Sequence, residues 1–230
     1  MTVKIDLEKL IETGAHFGHQ KRRWNPKIKN YIYGVQGGVH IFDLTKTKSA
    51  LEEAFAVLEK HSKEGKKILF VGTKKQAKAK IEEVAKETGN YFVIERWLGG
   101  TLTNFDQILK TLKELNDLIE KKKTDGFKEF TKKERLLLDR KIERTKRFFG
   151  GLEGITEVPE LMVVVDVKRE IGAIKEARKK GVTVIGIVDS NSSPDEVDYP
   201  IPMNDDATKA VDYVLELIKE VVLKSKNKKK

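Results

Sequence analysis

At 230 residues with 39% hydrophobic side chains, the chain can bury one large core, or one core plus an insertion. Charged residues reach 36% and the formal net charge is +10, which favours a polyanionic partner, either nucleic acid or an acidic membrane surface. The absence of cysteine excludes disulfides and thiolate metal sites, and no apolar run reaches spanning length.

Met1-Thr2-Val3-Lys4-Ile5-Asp6 has no apolar signal core, so a soluble, cytoplasmic chain is expected. A short helix is predicted over 6–14, with Asp6 as N-cap and Gly14 at its end. The stretch that follows, Gly14-Ala15-His16-Phe17-Gly18-His19-Gln20-Lys21-Arg22-Arg23-Trp24-Asn25-Pro26-Lys27, continues to Tyr31 and Tyr33. Cations interleaved with flat rings in irregular backbone suit phosphates and splayed bases. A solvated loop is the bland alternative, but it has little use for Trp24, Tyr31 and Tyr33 together. His16, His19 and His40 lack the further ligands zinc needs nearby in sequence, so no metal site is expected there.

Val39–Phe42 reads as a first strand, with a helix from about Thr45 to His61. Lys67–Val71 is a near-continuous apolar strand ending in Gly72-Thr73-Lys74-Lys75, and a helix runs on to about Thr88. Tyr91–Ile94 is a third strand. It leads into Arg96-Trp97-Leu98-Gly99-Gly100-Thr101-Leu102-Thr103-Asn104-Phe105, a junction whose paired glycines permit a reversal. Thr101, Thr103 and Asn104 are natural caps for the helix opening near Phe105.

Phe105, Ile108, Leu112, Leu115 and Ile119 form a coiled-coil seam that breaks at Lys121-Lys122-Lys123-Thr124-Asp125-Gly126. Thr131 and Glu134 make a capping box for a return helix carrying Leu138, Ile142 and Phe149. An inserted antiparallel coiled-coil hairpin over 104–149 is expected, burying its own seam and projecting from the main body. Leu161–Asp166 restores the sheet, a helix spans about 168–180, and Val182–Asp189 is the fifth strand. Tyr199-Pro200-Ile201-Pro202 follows a polar loop, and a last helix covers about 206–223. The discontinuous α/β domain is thus 1–103 and 150–223, with an RNA-facing segment at 1–38. The basic tail 224–230 is expected to be disordered.

Strands alternating with helices make a parallel sheet with right-handed crossovers, whose ligands sit at the strands' carboxyl ends. Those ends carry Asp43, Gly72-Thr73-Lys74, Arg96, Asp166 and Asp189. A phosphosugar- or nucleotide-binding enzyme using the Gly72-Thr73-Lys74 turn is the alternative function. It lacks both GxGxxG and GxxxxGK[ST], and no serine or histidine sits in a nucleophile motif. Asp189, Asp195, Asp205 and Asp206 could gather around Mg²⁺, or simply cap helices and turns.

The motifs Gly14-Ala15-His16-Phe17-Gly18-His19-Gln20, Arg23-Trp24-Asn25-Pro26-Lys27, Ile68–Lys74, Arg96–Asn104 and Asp198-Tyr199-Pro200-Ile201-Pro202 occur in order, and together the chain resembles the bacterial form of the small-ribosomal-subunit protein S-two family. That resemblance implies a flavodoxin-like (Rossmann-like) five-stranded parallel sheet with a protruding helical hairpin. It implies a non-catalytic, cofactor-free protein that binds small-subunit ribosomal RNA between head and body and helps recruit the mRNA-binding protein S-one. Neighbouring small-subunit proteins would be its other partners. His16, His19, Lys21, Arg22, Arg23, Trp24, Asn25, Lys27, Lys74, Lys75, Arg96, Trp97, Thr103 and Asn104 become the candidates for RNA contact. Met203 and Ser193 depart from the family's common Gly and Asp, which weakens any metal site inferred around Asp189 and Asp205.

Overall fold

The computed structural model describes residues 3–123 and 130–227. The expected turn at Thr124-Asp125-Gly126 and the last lysines, 228–230, lie outside the described residues. Five strands form one parallel sheet: β4 (Ile68–Val71), β5 (Tyr91–Val93), β6 (Leu161–Val165), β7 (Thr183–Val188) and β8 (Tyr199–Pro202), in the order β5-β4-β6-β7-β8. The register places Val71 beside Val93 and Val164, and Val165 beside Ile187. This order is that of a flavodoxin-like fold, with its topological switch between β4 and β6.

Alternate residues of each strand enter opposite layers, as a pleat demands. Ile68, Phe70, Leu161, Val163, Val165, Ile185 and Ile187 face one core with Leu51, Leu58, Ile81 and Val214. These last come from α2 (Leu44–Lys63), α3 (Lys75–Thr88) and α7 (Thr208–Asn227). Leu69, Val71, Met162, Val164 and Val184 face a second core with Ala173, Ile174 and Ala177 of α6 (Ile171–Lys179). Burial on both faces explains why these strands read as unbroken apolar runs. At Gly72 an added Cβ would collide with Ile81 Cδ1, so glycine sets how closely α3 packs on the sheet.

The membership of the sheet differs from expectation. Val39–Phe42 (β3) is not a parallel strand; it is the centre of a separate antiparallel sheet between β1 (Phe17–Gln20) and β2 (Ile32–Gln36). Its residues alternate between half-buried and buried, the pattern of a one-sided sheet. Gly37 and Gly38, at φ 57° and 78°, supply the two left-handed residues of a tight turn joining β2 to β3. The fifth parallel strand is β8, whose Pro200 and Pro202 are tolerated because it is an edge strand.

Asp6 caps α1 (Leu7–Glu12) through Glu8 N and Lys9 N, and Asp43 caps α2 through Thr45 N. Helix α7 runs four residues past the expected stop at Leu223, to Asn227, so 224–227 are helical rather than a disordered tail, and buried Ser225 donates to the Val221 carbonyl. Between β5 and β6 lie α4 (Phe105–Lys123) and α5 (Lys132–Phe149), with the Thr131–Glu134 capping box in place. Ion pairs Lys122–Asp139 and Lys141–Glu114 join the two helices. Their seam is not self-contained. Ile108 and Leu112 are buried in the same cluster as Leu102, Leu152 and Val93, with Phe105 and Phe149 packed against it. Leu138, expected on the seam, is only half-buried. The hydroxyls of Thr101 and Thr103 do not serve as expected caps: they donate to Leu98 O and to Glu176 Oε2.

Candidate nucleic-acid interface

The basic stretch is irregular in backbone yet tied down at several points. Asn25 accepts from Lys27 N and so caps the 3-10 turn over Pro26–Tyr31. Asn25 N donates to Ser190 O at 2.7 Å, and His19 N donates to Ser190 Oγ at 2.7 Å. Asn204 N bonds Ala15 O, and Lys27 pairs with Asp195 Oδ2 at 2.8 Å. All these partners follow β7 or β8, so the carboxyl ends of the sheet hold the segment. Gly18 sits close enough that a Cβ there would lie 2.7 Å from Ser190 Oγ.

Held in this way, Lys21, Arg22 and Arg23 are exposed side by side. Arg22 and Arg23 line a cleft of ≈ 260 Å³ together with Gly18, His19 and Gln20. Arg22 Nε donates to Gln20 Oε1 at 3.1 Å, and Arg23 and Lys21 project their charge outward. Lys29 and Lys75 are exposed as well.

Trp24 is not a free stacking face. Its ring stacks on His40 with centroids 4.8 Å apart and packs against the second core. His40 is 4% exposed, and burial, then the charge of Lys21, lower its pKa. Tyr31 is likewise packed inward. The ring left open is Tyr33, 83% exposed on β2 beside exposed Val35. His16 is half-buried, with its pKa lowered by burial.

A second loop, 96–104, is organised by a residue far away in sequence. Glu176 on α6 accepts five hydrogen bonds: from Trp97 Nε1 and Gly100 N on Oε1, and from Leu102 N, Thr103 N and Thr103 Oγ1 on Oε2. Burial pushes its carboxyl up, but those donors outweigh burial and the pKa is lowered. Trp97 is thereby a strut of the loop, while Arg96, Thr103 and Asn104 remain at the surface.

Lys74 stands apart from these cations. It is 8% exposed, and its Nζ lies 2.5 Å from Asp205, 2.6 Å from Asp206 and 3.4 Å from Asp166. Burial acts to lower its pKa, but the three carboxylates win and raise it. The Gly72-Thr73-Lys74 turn is likewise no phosphate cradle. Thr73 N and Oγ1 both donate to Glu170 Oε1, and Arg169 Nε is spent on Thr73. Asp166, at φ 67°, turns the chain out of β6, and its Oδ1 accepts from Arg169 N. A crevice ringed by carboxylates repels the anionic substrates that the enzyme alternative requires.

The strand ends therefore present two surface groups, one at 19–29 and one at 96–104, and a buried polar centre around Lys74 between acidic turns. The family model described as Ribosomal protein S2 matches residues 10–225. The chain belongs to the ribosomal protein S2 family. It is accordingly a structural protein of the small ribosomal subunit, acting in translation, and the family is not one of enzymes. No helix among the described residues is long and apolar enough to cross a membrane.

Three features of this ribosomal protein S2 surface carry no local sequence signal. Glu176 sits in an ordinary amphipathic helix, Ser190 in a polar loop, and Glu170 inside the helix predicted from 168, one residue ahead of its observed start at Ile171. Each acts on a partner 70 or more residues away, so only the fold reveals it. Tyr33 was visible as an aromatic, and its alternation with Ile32 and Gly34 on β2 decides that it faces out.

Proposed function

We propose that this protein binds small-subunit ribosomal RNA through Lys21, Arg22, Arg23 and Lys29, with Tyr33 offering a stacking face and Arg96, Thr103 and Asn104 forming a second contact. The supporting observation is the row of exposed cations at 21–23 held by fixed backbone bonds to Ser190 and Ala15's partner Asn204. Such pre-ordering lowers the entropy lost when phosphates are bound. Lys75 is an outlying contributor, whereas Lys74, Trp24 and Trp97 act by shaping the surface from below. His16, His19, Asn25 and Lys27 belong to the same supporting group.

Within the subunit the protein takes the family's place between head and body and assists recruitment of protein S-one, in the cytoplasm. Titration of purified small-subunit ribosomal RNA at several salt concentrations tests the RNA contact. Affinity falls with salt, and Arg22→Ala/Arg23→Ala reduces the log–log slope by about 2 if both arginines neutralise phosphates. An unchanged slope removes them from the interface.

A further inference from the structure

A cleft of ≈ 500 Å³ lies between residues 3–5, α2 and the end of α7. None of its lining residues belongs to the two surface groups assigned to RNA. On α2 the residues that line it are 48, 52, 55, 56 and 59, a spacing that puts them on one face of the helix. Residues 221, 224 and 225 do the same on α7. Ile5, Phe55 and Val221 are buried in the first core, yet each also lines the cleft. Half-buried Val3 and exposed Ala56 complete the apolar part of its wall.

The charged groups around this wall do not balance. Lys224 pairs with Glu220 at 2.9 Å, and Glu59 pairs with Lys63 at 2.8 Å. The Ser225 hydroxyl is taken by the Val221 carbonyl. That leaves Lys4, Lys48 and Glu52, none of which has an ion pair among the described residues. Lys48 and Glu52 stand one turn apart on α2 without pairing with each other, and Lys48 is half-buried. Two free cations against one free anion leave the cleft one positive charge in surplus, beside an apolar wall.

We propose that this cleft binds a medium-chain carboxylate amphiphile of the fatty-acid class, its alkyl chain against Ile5, Phe55 and Val221 and its carboxylate toward Lys48 and Lys4. The volume falls in the range of about 300–1,000 Å³ that accommodates small organic ligands. The chain gains by leaving water for the apolar wall. The carboxylate gains by meeting a half-buried ammonium, where water screens the pair less than at an open surface. Glu52 on the same stripe repels further negative charge, which favours a monoanion over a phosphate monoester. The bound ligand joins residues 3–5 to α2 and α7, segments far apart in sequence, so occupancy stabilises the fold.

The full chain is titrated calorimetrically with hexanoate, octanoate and decanoate, below the concentrations at which they aggregate, and with octanol as the uncharged counterpart. One saturable site is expected, tightening about fourfold for each CH₂ added. Octanoate should bind about threefold or more tighter than octanol. Lys48→Met should remove that preference and leave octanol unchanged, while Glu52→Gln should tighten octanoate. Ala56→Trp, at an exposed position on the wall, fills the cleft and should weaken every ligand about tenfold or more. Should Ala56→Trp prove unfolded by circular dichroism, Lys48→Met and Glu52→Gln supply the comparison. Heat that does not saturate, octanol binding as tightly as octanoate, or octanoate binding unchanged in the folded variants overturns the proposal. So does concentration-dependent self-association that Ala56→Trp abolishes, which gives the cleft to a second copy of the chain.

Discussion

Glu176 and Trp97 stand 79 residues apart, and the indole Nε1 donates to the carboxylate at 3.0 Å. The same carboxylate collects the backbone N–H groups of Gly100, Leu102 and Thr103, so a single anion organises the loop from 97 to 103. A loop with two glycines is otherwise costly to order. The anion replaces the water those N–H groups lose, and it fixes where Arg96 and Asn104 emerge.

Glu176→Gln is expected to destabilise the protein by about 2 kcal/mol, since charge-assisted bonds are lost and an amide N–H₂ is placed against donors. Trp97 emission shifts as its Nε1 loses the anion. The pH dependence follows from the lowered pKa. The contribution is complete above the unfolded carboxyl value of about 4.3 and disappears as pH falls through the folded value. Denaturant melts of parent and variant between pH 3 and 7 should therefore converge at the acid end. A constant gap across that range contradicts the assignment.

Lys74→Met removes the cation from a centre where Asp205 and Asp206 lie within 2.6 Å of it. Asp206 is about half exposed, but Asp205 is buried, and a buried carboxylate left unpaired is expensive, so a loss of about 3 kcal/mol is expected by chemical denaturation. Burial and the neighbouring carboxylates of Asp189 and Asp166 already raise Asp205 to about 7 with Lys74 present. A change below about 0.5 kcal/mol, the range of an unremarkable surface site, contradicts the buried pairing.

Gly18→Ala directs a methyl at Ser190 Oγ, 2.7 Å away, and at His40 O, 3.3 Å away. The hydroxyl that receives His19 N must move. A cost of about 1–3 kcal/mol is expected, together with faster amide exchange at His19. Gly34→Ala, with open space around it, is the control and should be close to neutral.

The α4–α5 pair divides into a base and an outer part. Ile108→Ala and Leu112→Ala, which open the second core, are each expected to cost about 2–5 kcal/mol. Leu136→Ala and Leu137→Ala, at 52% and 55% exposure, should stay within about 0.5 kcal/mol. Equal effects at the two ends mean that the helices do not share the sheet's core.

What the sequence made legible depended on range. The apolar runs at 68–71, 161–165 and 183–188 announce strands buried on both faces, because side chains of one kind alternate into two cores. Tyr199–Pro202 does not, since proline is a poor strand former away from an edge, and edge position is a property of the finished sheet. Val39–Phe42 reads like a parallel strand because a short run with three apolar residues looks alike in either sheet; the Gly37-Gly38 turn carries the distinguishing signal. The site divides the same way. Lys21–Arg23 is a local cluster and reads directly, whereas the exchange of Trp24 for Tyr33 as the open ring depends on which face of the small sheet meets the core. Lys74 looks like a surface cation until Asp205, 131 residues on, is brought to 2.5 Å.

The most direct measurement is sedimentation of the tagged protein through a sucrose gradient with small ribosomal subunits, parent beside Arg22→Ala/Arg23→Ala. Both arginines are exposed, so thermal midpoints should agree within a degree or two while the gradients differ. The parent is predicted to migrate with the small subunits, and the variant to be depleted from them, more so as salt rises. A variant that co-migrates as fully as the parent at every salt concentration, or a parent that stays at the top of the gradient, contradicts the account.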